Sequence, residues 1–210
     1  MPHRKIIWQI FFAALAIRWA YAIGLYTAMG PDGLLGMDSR GFAQWVHEYG
    51  DQIRAGTLHG WDWLSINLSI MPLVSWSWVI TELLFGKHLV IAYVLFQGVL
   101  DSLSCLLVFG LAQSFRAEYA VPAGIFAAIN PTQIVMAGLF YTDTMFLFFV
   151  ALMLFSAARW LVRPDWAWAM LLGLGLGGAG LSRILIVPWA LALLAFFMTV
   201  AMLRGSLSRK

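Results

Sequence analysis

Two acids and an arginine stand at the ends of apolar runs, where a chain passes from lipid to water. Asp38 lies in GPDGLLGMDSRGFAQWVHEYG, just after a run long enough to cross a membrane; Asp143 lies in LFYTDT, between two more apolar runs; Arg183 follows GLGLGGAGLS. A carboxylate in a half-wet site can act as general base towards a hydroxyl, and arginine can grip a phosphate through two parallel hydrogen bonds. Tyr141 beside Asp143, Arg40 two residues beyond Asp38, and Lys87 add a phenol and two cations suited to an anionic substrate. Plainer roles compete. Asp38 and Asp143 are also good helix caps, and Arg183 can anchor a helix end at lipid headgroups. Choosing between these readings requires knowing which side of the membrane each residue faces.

The elements that would position them are membrane spans. The chain of 210 residues is 62% hydrophobic and 11% charged, with mean hydropathy +0.83. A soluble domain carries about a quarter charged residues, so this balance belongs to an all-α polytopic membrane protein. The net charge of +3 is scattered, without a basic stripe, which argues against a nucleic-acid partner. Cys105 is the single cysteine, which excludes a disulfide framework and a thiolate metal site. The apolar stretch from Ile6 to Ala28, about 23 residues, matches roughly 30 Å of hydrocarbon and reads as a retained first span rather than a cleaved signal.

Seven hydrophobic segments follow from the pattern: 6–28, 70–85, 88–115, 119–140, 142–161, and 166–200 divided near Arg183. If all seven crossed, with the N-terminus inside, most cations would lie outside, against the positive-inside rule. If 70–85 stays at the outer interface, Arg4, Lys5, Arg116, Arg159, Arg163, Arg204, Arg209 and Lys210 fall inside. Arg40, Arg54, Lys87 and Arg183 are then left outside, which is the expected bias. About six spans with both termini cytoplasmic is therefore the preferred topology. The chain reads as one module: first span 6–28, an outer loop with juxtamembrane helices 29–87, remaining spans 88–204 and a tail 205–210. Within the outer loop, Phe42, Trp45, Val46, Tyr49 and Ile53 share one helical face, with Arg40, Gln44, Glu48 and Asp51 opposite. That predicts an amphipathic helix lying on the outer leaflet. Asp38, the Tyr141–Asp143 loop, Arg183 and the segment Trp61–Trp63 would then meet on one side. In the seven-span alternative the two acids would face opposite compartments.

Four stretches in order carry a resemblance: DSRGF with its amphipathic helix, IMPLVSWSWVITELLFG, INPTQIVMAGLFYTDTMFLFF and LLGLGLGGAGLSRILIVP. Together they resemble bacterial GT-C glycosyltransferases, the integral-membrane enzymes related to protein O-mannosyltransferases and to the aminoarabinose transferase acting on lipid A. The resemblance implies a polyprenyl-phosphate-linked sugar donor and inverting transfer on the non-cytoplasmic side. The acceptor would be a hydroxyl of a lipid, glycan or protein. By position, Asp38 matches the acid that acts as base on the acceptor, Asp143 the second acid of the outer loops, and Arg183 the basic residue closing the Gly-rich span. Arg40 and Lys87 are the other candidates for holding the leaving phosphate. The chain departs from the family pattern at Ser39, where Glu is common, at Phe42, where Tyr is common, and at the lone Pro72. Family members are longer. A truncated module that only binds polyprenyl phosphate, or a subunit working with a partner chain, is thus the alternative to an active transferase. A bacterial inner membrane is the implied setting.

Arg18 and Asp101 fall deep inside spans, where charge is costly; they either pair with each other or use Glu82. Pro131 is expected to bend the span that carries it, and Gly173-x-x-x-Gly177 to permit close helix contact. The four histidines are dispersed without metal-site spacing. No cofactor is expected; a divalent ion near Asp38 and Asp143 would suit metal-dependent relatives, but no spacing supports one.

Overall fold

A computed structural model of the protein describes residues 3–36, 39–57 and 71–183, together with 188, 191–192, 195–196 and 198–199. The described residues are helical: α1 (His3–Met29), α2 (Ser39–Ala55), α3 (Pro72–Phe85), α4 (Leu89–Phe115), α5 (Ala117–Ala128), α6 (Pro131–Ala137), α7 (Asp143–Val162) and α8 (Trp166–Ser182). Short 3-10 turns occupy Pro31–Leu34 and Gly86–His88. Three stretches are long and apolar enough to span a membrane: Lys5–Met29, Pro72–Phe115 and Asp143–Val162. The pair α5 and α6, bent by 52°, adds a fourth, and α8 is a shorter apolar helix of 17 residues. The final expected span, after Arg183, falls largely outside the described residues. The protein is an all-α membrane protein.

The stretch Pro72–Phe115 does not run straight. A helix advances about 1.5 Å per residue, so Trp78 and Tyr93 would stand roughly 22 Å apart in one rod. Their ring centroids are 6.0 Å apart, and the Ser77 hydroxyl lies 3.3 Å from that of Tyr93. The chain therefore reverses at Gly86–His88, with Gly86 in a positive-φ conformation (φ 51°) that suits glycine. α3 packs back along the start of α4, and Trp78 stacks on Phe140 at 4.9 Å. Phe140 is in turn bonded to the loop leaving α1, since its N–H donates to the Leu34 carbonyl at 2.8 Å. α3 thus sits at the level of the loops and does not carry the chain across. Residues 34–39 and 138–143 share one end of the bundle, the arrangement the seven-span alternative forbids. Lys5, Arg116, Arg159 and Arg163 lie at the other end, by their places at the start of α1, between α4 and α5, and at the close of α7.

The amphipathic reading of α2 holds for its polar face but not for what covers its apolar one. Arg40, Gln44, Glu48 and Asp51 are exposed, while Ala43, Val46 and Tyr49 are buried in the protein. Phe42 meets Trp78 at 5.1 Å, so α3 takes the place expected for lipid. The glycine expectation also shifts. Gly173 and Gly177 have nothing within 4 Å of a built Cβ, whereas Gly175 faces the Met153 backbone and Gly178 the Phe149 ring. Helix contact runs one face over, through Gly175, Gly178, Ala179 and Ser182, the buried residues of α8.

In the bundle's interior Arg18 pairs with Asp101, and the two are 1% and 2% exposed. With no water to help, every guanidinium N–H needs a protein partner. Nε donates to the Asp101 carboxylate, Nη1 to the carbonyls of Ala14 (3.1 Å) and Ala128 (2.9 Å), and Nη2 to the Ala127 carbonyl (3.3 Å) and Cys105 Sγ (3.5 Å). The carbonyls of Ala127 and Ala128 belong to the end of α5, where a helix leaves its last acceptors free. Pro131 begins α6 after Asn130, whose side chain caps the N–H groups of Thr132 and Gln133. The bend expected at Pro131 is there, and Arg18 seals its inner side. Glu82 belongs elsewhere, on α3. Asp101→Ala should strand a buried cation and lower stability by about 3–5 kcal/mol, read as unfolding in detergent; a change within about 0.5 kcal/mol contradicts this account.

Candidate active site

Three polar contacts fasten the loop before α7 to its surroundings. Phe140 receives the Leu34 carbonyl through its N–H and accepts from the Ser39 hydroxyl at 2.6 Å, and the buried Gln97 amide donates to the Tyr141 carbonyl at 2.9 Å. The Tyr141 ring lies so close to Gly36 that a Cβ there would overlap it. Gly36 and Ser39 bracket Asp38 in the chain, and both touch the 140–141 segment. Asp38 itself, like Trp61 and Trp63, lies outside the described residues.

Asp143 and Arg183 come together. Arg183 Nη2 stands 2.9 Å from Asp143 Oδ1, with both side chains about a third exposed (33% and 28%). Asp143 occupies the first turn of α7, where a negative charge suits the helix dipole, and it is not the cap: Thr142 holds that position, without a side-chain bond. Arg183 follows the last turn of α8, and its Nε is buried without a partner. The tight α7–α8 seam through Gly175 and Gly178 keeps the two ends in register. The pair leaves Arg183 charge-compensated, with a donor unused.

Arg40 and Lys87 meet elsewhere. Both are exposed, neither forms an ion pair among the described residues, and they line a cleft of about 700 Å³ with Asp32, Gln44, His47 and Asp51. Arg40 comes from the first turn of α2 and Lys87 from the turn joining α3 to α4. Behind the cleft stands Glu82, 2% exposed, with Arg54 Nη2 at 2.9 Å and His47 Nδ1 at 2.8 Å. Gly50 makes room for it, because a Cβ there would lie 2.6 Å from Glu82 Cγ. The hydrogen bond to Glu82, followed by that to Asp51, holds the exposed Arg54 guanidinium above its ordinary pKa. The structure thus groups the expected residues in two sets, Arg40 with Lys87 and Tyr141 with Asp143 and Arg183, joined through the 30–39 segment. Sequence reasoning passed over His47 and the buried Gln97. The signal for His47 was its place four residues before Asp51 and seven after Arg40, along the polar face of α2. Among the described residues no three His, Cys, Asp or Glu side chains converge as metal ligands.

A family model described as dolichyl-phosphate-mannose-protein mannosyltransferase matches residues 70–210, and the chain belongs to that family. It is thus a membrane glycosyltransferase module of the GT-C type. No curated protein and no solved structure matches the chain significantly. The match covers α3 to α8, including Lys87, Tyr141, Asp143 and Arg183; Asp38 and Arg40 lie before it.

The seam between α7 and α8 generates a contrast between two glycines. Gly175→Ala places a Cβ 2.7 Å from the Met153 backbone nitrogen, which cannot yield as a side chain would. A loss of about 1–3 kcal/mol is expected, by thermal unfolding in detergent. Gly173→Ala, in open space, should be neutral or stabilising by up to about 1 kcal/mol. Equal effects of the two would contradict the assigned seam.

Proposed function

We propose that the chain transfers a sugar from a polyprenyl-phosphate donor to an acceptor hydroxyl, on the side of the membrane where residues 30–57 and 138–143 lie. In a bacterium this would be the outer face of the cytoplasmic membrane. The single observation that carries the reading furthest is Arg40 and Lys87, two unpaired cations facing one cleft on the wall that continues from Asp38. Inverting transfer breaks the bond between the anomeric carbon and the phosphate oxygen and forms one to the acceptor oxygen. The acceptor proton passes to the Asp38 carboxylate as general base, and the electron pair leaves with the phosphate. Arg40 and Lys87 hold the departing charge, which develops most strongly in the transition state.

Arg183 is less suited to that task than a lone arginine, because Asp143 already balances its charge. In this reading Asp143 is a positioning residue: it aims Arg183 so that the spare Nε–H can serve the sugar or the phosphate. Tyr141, locked against Gly36, borders the same loop and offers a stacking surface for a sugar ring. The acceptor is a hydroxyl of a lipid, glycan or protein.

Asp38→Asn, assayed in membranes for release of free polyprenyl phosphate, should lose about 10²–10⁴-fold in rate. Activity near that of the unaltered protein would overturn the base assignment. Donor binding without any turnover by the unaltered protein would instead identify a binding module that works with a partner chain.

A further inference from the structure

His47 stands on the wall of the Arg40–Lys87 cleft with 43% of its side chain exposed. Its Nδ1 faces inward to Glu82 Oε2 at 2.8 Å. Glu82 is fixed in turn: it is buried, its Oε1 receives Arg54, and Arg54 also donates to the Glu82 backbone carbonyl at 2.9 Å. An imidazole held by one nitrogen presents the other in a defined direction, and a carboxylate at Nδ1 favours the tautomer or ion that carries hydrogen there. The nitrogen left over, Nε2, belongs to the part of the ring that lines the cleft.

The charges around the cleft give that nitrogen its importance. Arg40, Asp51 and Arg54 project from α2, Glu82 from α3, Lys87 from the turn after it, and Asp32 from the turn after α1. Three cations and three carboxylates cancel, so the cleft and its backing acquire net positive charge only when His47 is protonated. Arg54 is engaged with Asp51 and Glu82, which leaves Arg40 and Lys87 to face the space. A third donor beside them would complete a cradle for an anion with several acceptor oxygens.

Resting on the proposed seat of the donor phosphate, we infer that His47, oriented by Glu82, is a third ligand of that phosphate and makes donor binding tighten as pH falls through the range in which imidazole gains its proton. Family membership does not assign this residue, which lies before the matched region. A sugar-linked polyprenyl phosphate is a phosphodiester whose own charge is constant over that range, so the pH dependence reports on the protein. A free polyprenyl phosphate would titrate as well and confuse the reading.

The experiment measures binding of dolichyl-phosphate-linked mannose in detergent by the full chain carrying Asp38→Asn, which prevents turnover. Measurements are made at about pH 5.5 and about pH 8, the two sides of imidazole titration. Binding should be about tenfold tighter at the lower pH, the effect of one charge-assisted hydrogen bond at a half-exposed site. His47→Gln should abolish that difference and reduce binding to its level at the higher pH. His47 is exposed enough for this change to leave the fold intact, which the unfolding curve of the variant checks. If His47→Gln keeps the tightening while Arg40→Gln with Lys87→Gln loses binding, the inference about His47 falls and the phosphate seat stands. If Arg40→Gln with Lys87→Gln binds as before, the seat itself is wrong and both readings fall.

Discussion

The buried pair of Arg18 and Asp101 is the constraint from which the rest of this bundle hangs. One guanidinium joins three helices: it rises from α1, meets the Asp101 carboxylate on α4, and closes the open carbonyl end of α5. Without it the break before Pro131 would leave acceptors facing hydrocarbon, where nothing else can satisfy them. With it, the 52° turn between α5 and α6 becomes a fixed feature. α6 then delivers the chain to the 138–142 segment at the end of the bundle where α1 also terminates. A charged residue deep in a membrane span usually marks either a pathway or a clamp. Here all its donors are consumed by structure, which makes it a clamp.

From that fixed elbow the site is assembled by short, directional bonds. Phe140 uses both its N–H and its carbonyl to hold the segment that contains Asp38, and Gln97 holds the next residue. The aromatic stack of Phe42, Trp78, Tyr93 and Phe140 fills the space beneath. The polar site is therefore backed by a dry aromatic layer. That layer binds α2 to the α3–α4 reversal, so Arg40 and Lys87, far apart in sequence, face one cleft. This is how a membrane enzyme of the mannosyltransferase family can display charge at a bilayer surface on a rigid support.

Much of this was legible before any coordinates. Charge counting made 70–85 a segment that stays on one side, and the reversal at Gly86–His88 bears that out. The Asp143–Arg183 meeting followed from the same count, because both residues fall at span ends on one face. Pro131 announced its bend through the missing N–H and ring clash. What failed were judgements about who covers whom. The apolar face of α2 and a lipid-facing amphipathic face look alike in one dimension, and only the position of Trp78 decides between them. Gly173 and Gly177 have the favoured spacing, yet Gly175 and Gly178 make the contact, because α8 is apolar on every side and its pattern does not single out one face. His47 looked like an ordinary surface histidine until Glu82, thirty-five residues away, was placed behind it. Long-range partners of this kind are set by tertiary packing and leave no local signature. Asp38 and Trp61–Trp63 lie outside the described residues, so their roles rest on sequence alone.

The central claim is that the donor phosphate sits between the start of α2 and the Gly86–His88 turn, at the end of the bundle shared with Asp143 and Arg183. The most direct measurement is photolabelling in native membranes with a polyprenyl-phosphate-linked sugar bearing a photoreactive group beside the phosphate, followed by mapping of the labelled peptides. The account predicts label in residues 31–51 and 86–90, competed away by unmodified donor. Competed label confined to the opposite end, around 114–118 or 159–166, would contradict it.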